Sequence, residues 1–66
     1  MVLVNDFPCP FQAGMTVYDA LREAAVDLNG PVLVTRNGSF VSRDAYRDTA
    51  LTDGDEILAM RVVSGG

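Results

Sequence analysis

The chain has 66 residues and carries nine acidic side chains against five basic ones, which gives a formal net charge of −4. It contains one cysteine and no histidine, and because all five basic residues are arginine it contains no lysine either. These absences exclude nucleophile pairs that need histidine, Schiff bases and phosphate loops that need lysine, and a structural zinc site. The acidic balance argues against nucleic acid as a partner, because that affinity comes mostly from basic side chains that neutralise phosphates.

The first elements form a predicted hairpin. Residues 1–4 are apolar and are followed by Asn5 and Asp6, a typical turn pair. Residues 7–12 contain two prolines, and because proline cannot donate to a β-ladder this segment fits only an edge strand. Cys9 lies within it. We interpret Cys9 as a small residue of the edge strand; the alternative is a redox or persulfide-bearing thiol, although no cation close in sequence would lower its pKa.

The clearest helix is predicted over residues 17–28. Thr16 is a good N-cap, and Asp19 lies in the first turn, where a carboxylate favours the helix dipole and completes a weak capping box. Asn29 and Gly30 are expected to end the helix, and the proline after them prevents its continuation. Apolar side chains recur at helical spacing and form one stripe, which consists of Val17, Ala20, Leu21, Ala24, Ala25 and Leu28.

A second hairpin is predicted over residues 32–43. Asn37 and Gly38 form a strong signal for a two-residue loop between β-rich runs. This loop length sets the register of the two strands and places Val34 opposite Val41 on one face.

The remaining third of the chain completes the sheet. Ser42 can cap a short helical turn over residues 44–47, and Leu51 is expected to fill the core. Residues 53–55 have the sequence Asp-Gly-Asp and form a turn, and residues 56–63 are the last strand.

This order of elements predicts an α+β fold with a mixed five-stranded sheet and one main helix packed on one face. With the first and last strands adjacent and parallel at the centre, it is the β-grasp, or ubiquitin-like, arrangement. We expect a single domain over residues 1–66, of which residues 64–66 form a flexible tail. No apolar run approaches the roughly 20 residues of a membrane span, and the chain lacks the basic start of a signal peptide, so we expect a cytoplasmic protein without a membrane partner.

The most chemically suggestive feature is the pair of glycines at the end, Gly65 and Gly66. They carry no side chain that would hinder the approach of the Gly66 carboxylate to another protein's active site. A carboxylate is inert toward nucleophiles until its oxygen becomes a good leaving group, as in an acyl-adenylate made with ATP. We expect a partner to supply the ATP site, so the chain itself is no enzyme and binds no cofactor or metal.

Together these features resemble the ThiS/MoaD family of sulfur carriers, and within it the ThiS branch of thiamine biosynthesis more closely. The resemblance covers essentially the whole chain. Its most specific part is Asp53, Gly54 and Asp55 before the last strand combined with Gly65 and Gly66. The proline-rich edge segment and the absence of lysine depart from the family pattern. The other matching positions are Val4, Asn5, Gly14, Thr16, Val17, Leu21, residues 32–38, Val41, Arg43, Tyr46, Leu51, Ile57 and Arg61.

The resemblance implies a mechanism that depends on partner enzymes. A ThiF- or MoeB-like adenylyltransferase adenylates Gly66 with ATP, a sulfurtransferase or persulfide displaces AMP, and the resulting thiocarboxylate donates sulfur to thiazole synthase (ThiG). Three alternatives stay open: a MoaD-like carrier for molybdopterin or another sulfur pathway, a ubiquitin-like modifier conjugated to lysines, and a non-catalytic β-grasp interaction module with incidental glycines.

A docking surface is predicted on the sheet. Both faces of the last strand are apolar, although one helix can cover only one of them. The face opposite the helix is expected to expose four partner-binding residues, unless loops fold over them. These four are Leu33, Phe40, Leu58 and Met60.

Charged and polar residues near the end of the chain are further candidates. Arg61 and Ser64 are candidate partner-binding residues; Arg61 pairs with a partner or with the carboxylate of Gly66, or is simply solvated. The turn acids Asp53, Asp55 and Glu56 have a structural interpretation, with steering of a basic partner as the alternative.

Overall fold

The computed structural model describes residues 1–62 of the chain. Ser64, Gly65 and Gly66 lie outside the described residues, as does the last position of the predicted strand 56–63. None of the helices within residues 1–62 has the length and apolar character needed to cross a membrane. The elements in chain order are β1 Val2–Val4, β2 Phe7–Cys9, α1 Val17–Glu23, β3 Val32–Arg36, β4 Ser39–Val41, a 3₁₀ turn Arg43–Ala45 and β5 Glu56–Arg61.

The five strands form one mixed sheet in the order β2-β1-β5-β3-β4. β1 and β5 are parallel neighbours, with Val4 opposite Ile57, and the other pairs are antiparallel. β5 is therefore the central strand although it is the last in sequence. This order confirms the predicted β-grasp arrangement and the edge position of β2, which ends at Cys9, one residue before the second proline.

Both hairpins have the two-residue loops that the sequence predicts. The loop residues 5–6 and 37–38 all have positive φ, between 50° and 88°. Positive φ at both central positions is the type I′ geometry, whose twist matches that of the flanking strands. The second loop sets the predicted register, because Val34 lies opposite Val41.

The core lies between α1 and one face of the sheet. Val4 and Val34 of the sheet and Leu21 of the helix are fully buried, and Ile57 is 1% exposed. Leu51 is buried as predicted. The remaining core residues are Val2, Cys9, Met15, Val17, Ala20, Val41 and Tyr46.

The start of α1 is confirmed. The hydroxyl of Thr16 accepts a hydrogen bond from the Asp19 N–H at 3.3 Å, and the Asp19 carboxylate accepts from the Thr16 N–H at 3.0 Å. These reciprocal bonds make a complete capping box, with aspartate in the place of the more usual glutamate.

The predicted end of α1 is wrong. We expected the helix to continue to residue 28, whereas it ends at Glu23. Ala25 takes a left-handed φ of 57°, and the N–H of Val26 donates to the carbonyl of Leu21 at 3.0 Å, which is a Schellman motif. Glycine is the usual residue at the left-handed position, so an alanine there gives no signal in the sequence. After this early end, Val26 and the side chain at residue 28 still pack against the core.

The short helical turn also differs from the prediction. It lies at Arg43–Ala45 instead of residues 44–47, and the side chain of Ser42 at its N-cap position makes no capping hydrogen bond. The turn is attached to α1 instead, because the N–H of Tyr18 donates to the carbonyl of Tyr46 at 3.0 Å.

Asp55 is buried, with 5% of its surface exposed. Its carboxylate accepts hydrogen bonds from the Thr52 N–H at 2.8 Å, the Thr52 hydroxyl at 3.0 Å, Arg36 Nε at 2.9 Å and Asn37 Nδ2 at 3.0 Å. These bonds tie the turn before β5 to the end of the β3–β4 hairpin. The burial of Asp55 and these bonds favour its structural interpretation over the steering of a basic partner, since Arg36 already pairs with its charge.

The donors around Asp55 hold its pKa well below the usual range. The backbone N–H of Thr52 contributes most, and the side chains of Asn37 and Arg36 add to it, while burial acts in the opposite direction without outweighing them. The folded carboxylate thus keeps its charge to lower pH than the unfolded one. The resulting stabilisation is present above the unfolded pKa of about 3.9 and is lost as the pH falls toward the lower folded pKa.

We predict that Asp55→Asn lowers the free energy of unfolding at neutral pH by about 1–3 kcal/mol, because the amide cannot accept from all of the same donors. Urea unfolding followed from neutral pH down to about pH 2.5 should show a fall in stability below pH 4 for the unchanged chain and a smaller fall for the variant. Asp48→Asn, at an exposed carboxylate, is the matched control and should behave like the unchanged chain. Equal acid sensitivity of the Asp55 variant and the unchanged chain would contradict this role.

Candidate functional site

The sheet face that α1 does not cover carries an apolar patch. Leu33 of β3 lies opposite Met60 of β5, and Thr35 lies between Phe40 of β4 and Leu58 of β5. The structure therefore brings together the four residues predicted for docking, on three adjacent strands. We call Leu33, Phe40, Leu58 and Met60 the open-face patch.

Three residues of the open-face patch are at least half exposed. The exposed fractions are 65% for Phe40, 52% for Leu58 and 51% for Met60, while Leu33 is partly buried. Their neighbours along the strands point to the helix side, where Ile57 is buried. The alternative that loops fold over these side chains is therefore wrong for the three exposed ones.

β5 carries half of the patch and leads toward the glycine pair, and Asn5 helps to hold it. β1 ends at Val4, but the Asn5 side chain continues the pairing with β5. The N–H of Ala59 donates to Asn5 Oδ1 at 2.9 Å, and Asn5 Nδ2 donates to the carbonyl of Ala59 at 3.1 Å. The amide thus bonds both backbone groups of Ala59, as the backbone of a further β1 residue would.

Sequence reasoning missed both polar anchors of β5. Asn5 was expected only to form a turn, and its bonds to Ala59 join residues 54 positions apart. Asp55 was expected in a turn, and its partner Asn37 was expected only in a hairpin loop. No pattern of neighbouring residues indicates the contact of Asn5 with Ala59. For Asp55, the one hint in the sequence is that the Asp-Gly-Asp turn directly precedes the last strand, which proves to be the central one.

Arg61, a predicted partner-binding residue, lies at the end of β5. Its Nη2 is 3.4 Å from Asp27 Oδ2, and both side chains are more than half exposed. An exposed ion pair of this kind contributes at most about 1 kcal/mol to stability. The structure thus shows Arg61 as a solvated residue paired within the chain. Ser64, Gly65 and Gly66, the other predicted site residues, lie outside the described part of the chain.

Cys9 lies in the core with 1% of its surface exposed. Burial raises the pKa of its thiol, and the negative charge of Glu23 raises it further. A protonated and shielded thiol is a poor nucleophile, which favours the structural interpretation over the redox one. Within residues 1–62, no three histidine, cysteine, aspartate or glutamate side chains lie close enough to hold a metal ion.

Comparisons with known proteins agree with this architecture. A sulfur carrier protein ThiS from Escherichia coli K12 is 32% identical over 65 residues, a match that covers 98% of this chain and 97% of that protein. The crystal structure of the thiamine biosynthesis protein ThiS from Geobacter metallireducens superposes with a TM-score of 0.75 at 27% identity and covers 98% of this chain and 97% of the other. A solution structure of a thiamine biosynthesis protein from the same organism gives a TM-score of 0.68 at 27% identity, over 98% and 86% of the two chains.

The family comparison extends over nearly the entire sequence. The model of the ThiS family matches residues 2–66, and so includes the central strand, its two polar anchors and the glycine pair. The chain belongs to the ThiS family.

Proposed function

We propose that this chain is a sulfur carrier in which the carboxylate of Gly66 is activated and then converted to a thiocarboxylate. The observation that carries the proposal is the extent of the family match. It runs to residue 66, and a protein named as a sulfur carrier aligns over 98% of this chain. The matched segment therefore includes Gly65 and Gly66, the residues whose chemistry the sequence singles out.

The proposed reaction proceeds in two stages on partner enzymes. A ThiF- or MoeB-like adenylyltransferase joins the Gly66 carboxylate oxygen to the α-phosphate of ATP and releases pyrophosphate. The sulfur of a persulfide, for example on a sulfurtransferase, then attacks the carbonyl carbon, and AMP leaves. A thiol reductant cleaves the resulting acyl disulfide and leaves the thiocarboxylate. This group donates its sulfur to thiazole synthase (ThiG), in keeping with the thiamine biosynthesis named for the Geobacter relative, whose crystal and solution structures are both known.

The composition of the chain fits a co-substrate rather than a catalyst. Without histidine the chain lacks the commonest general base, and without lysine it lacks the cation of the phosphate-binding P-loop. ATP binding, metal binding and proton transfer are therefore assigned to the partners. The chain contributes a fold, a docking face and a reactive end, and we place it in the cytoplasm, where ATP is available.

We also propose that the open-face patch binds the adenylyltransferase. Phe40, Leu58 and Met60 are exposed apolar side chains on one face of the sheet, and Met60 lies on the strand that precedes Gly66 in sequence. Covering one such side chain fully is worth about 1.5–3 kcal/mol before the costs of association are subtracted. A partner bound to this face lies next to the end of β5. The adenylyltransferase would therefore be close to Gly66, the residue on which it acts.

The proposed activation predicts an ATP-dependent adduct on Gly66. We expect the chain, incubated with ATP and a ThiF-like adenylyltransferase from the same genome, to gain the mass of an adenylyl group. Trypsin cleavage after Arg61 releases residues 62–66, and tandem mass spectrometry of that peptide should place the adduct on Gly66. A chain that lacks Gly66 should form no adduct, whereas the surface control Asp48→Asn should react like the unchanged chain. Absence of an adduct with every activator encoded near the gene would sink the proposal.

The proposed docking face predicts a selective loss of affinity. Phe40→Asp and Met60→Asp should each weaken binding to the adenylyltransferase by about tenfold or more, because a carboxylate at the centre of an apolar interface loses its hydration. Phe7→Asp is the matched control: Phe7 is 54% exposed, but it lies opposite Val4 and so faces the helix side. Calorimetry should give this control the affinity of the unchanged chain. Equal affinities for all three variants would rule out the open-face patch as the docking site.

A further inference from the structure

Some arginines of the chain form ion pairs with carboxylates and others do not. Two of the five arginines form ion pairs with aspartates. Among the residues that the structure describes, the other three have no carboxylate oxygen within 4.0 Å. These three are Arg22, Arg43 and Arg47. In a chain with a net charge of −4, they are the cations left to interact with other molecules.

Two of these three arginines lie against the ring of one tyrosine. The guanidinium carbon of Arg47 lies 4.3 Å from the centre of the Tyr18 ring, and that of Arg22 lies 5.8 Å from it. Arg43 Nη2 donates to the carbonyl of Gly30 at 2.8 Å, which fixes its position. A guanidinium stacked on a ring keeps its in-plane N–H donors free, in the forked geometry that suits a carboxylate.

A shallow groove of about 260 Å³ lies between these side chains. It is lined by Tyr18 and Leu28, by the buried Tyr46, and by Arg43, Asp44 and Arg47. The lining of the groove thus carries two arginines against one aspartate. Arg22 lies near the Tyr18 ring but outside the groove, where it lines a separate cavity with Asp19 and Glu23. The volume of the groove is below the roughly 300 to 1,000 Å³ typical of small-molecule sites, so it suits one or two side chains of a protein partner.

The groove is separate from the open-face patch. It is built from α1, the segment after α1 and the 3₁₀ turn, and it shares no residue with the patch. The two surfaces also differ in chemistry, because the patch is apolar and the groove is rimmed by arginines. A partner that recognises one surface has no reason to recognise the other.

We propose that Tyr18, Arg22, Arg43 and Arg47 form a second docking surface, which binds an acidic segment of a partner protein. Carboxylates of the segment pair with the three guanidinium groups, and one apolar side chain fills the groove against Tyr18 and Leu28. The inference rests on the proposed function in one respect, namely that a sulfur carrier moves between an activating enzyme and a sulfur acceptor and so needs more than one recognition surface. We call this the arginine surface.

A peptide titration tests the arginine surface directly. The probe is a short peptide in which glutamates alternate with leucines, and a peptide with lysines in place of the glutamates is its control. In ¹⁵N-labelled chain, the acidic peptide should shift the amide signals of Tyr18, Arg22, Arg43 and Arg47, and leave those of Phe40 and Met60 unchanged. The lysine peptide should shift none of them. Absence of shifts at the arginine surface, or equal shifts with both peptides, would overturn the proposal.

A second test measures the affinity of the chain for the complete partner enzymes. Arg22→Gln combined with Arg47→Gln should weaken binding to the adenylyltransferase or to the thiazole synthase by about tenfold and reduce the salt dependence of that affinity. Phe7→Asp combined with Ser39→Asp changes the net charge equally, at exposed positions that line neither the groove nor the cavity beside Arg22, and should leave the affinity unchanged. If the arginine variant binds both enzymes like the unchanged chain, the proposal fails. Failure of the unchanged chain to become adenylated would instead count against the proposed function, and the peptide titration would still decide this surface.

Discussion

The position of β5 at the centre of the sheet depends on a buried carboxylate. Asp55 precedes β5 and binds the end of the β3–β4 hairpin through Arg36 and Asn37, while Thr52 closes its own turn on the same carboxylate. On the other side of β5, the Asn5 amide bonds Ala59. The strand is thus anchored by one polar group on each side. The residues proposed to dock and to carry sulfur lie on this strand or directly after it.

One face of the sheet forms the core, and the other is the face that we propose binds a partner. Ile57 and its neighbours on the helix side supply the core, and Leu58 and Met60 on the other side supply exposed apolar surface. A small domain has one core to build, and here α1 covers only one face of the central strand. The uncovered face is then available for a partner. The arginine surface adds a third region with different chemistry, so the activating enzyme and the sulfur acceptor do not have to recognise the same side chains.

The sequence predicted correctly those features of the fold that depend on interactions between residues close together in the chain. The Asn37 and Gly38 loop set the register of the second hairpin, prolines assigned β2 to an edge, and Thr16 with Asp19 marked the start of α1. The end of α1 was mispredicted because Ala25 adopts a left-handed conformation that its residue type does not signal. The anchors of β5 were missed because they join positions far apart in the chain. The exposure of Phe40, Leu58 and Met60 was predicted correctly, since period-two alternation along a strand is itself a local pattern, whereas Leu33 is partly buried and the docking role stays a prediction.

The mass of the protein isolated from its own cells tests the central claim most directly. We expect a fraction of the chain to be heavier by the difference between one sulfur and one oxygen atom, and trypsin cleavage after Arg61 should confine that difference to residues 62–66. The same fraction should disappear when the adenylyltransferase gene is deleted. A chain recovered only with an ordinary carboxylate on Gly66, or joined through an isopeptide bond to lysines of other proteins, would contradict the assignment as a sulfur carrier.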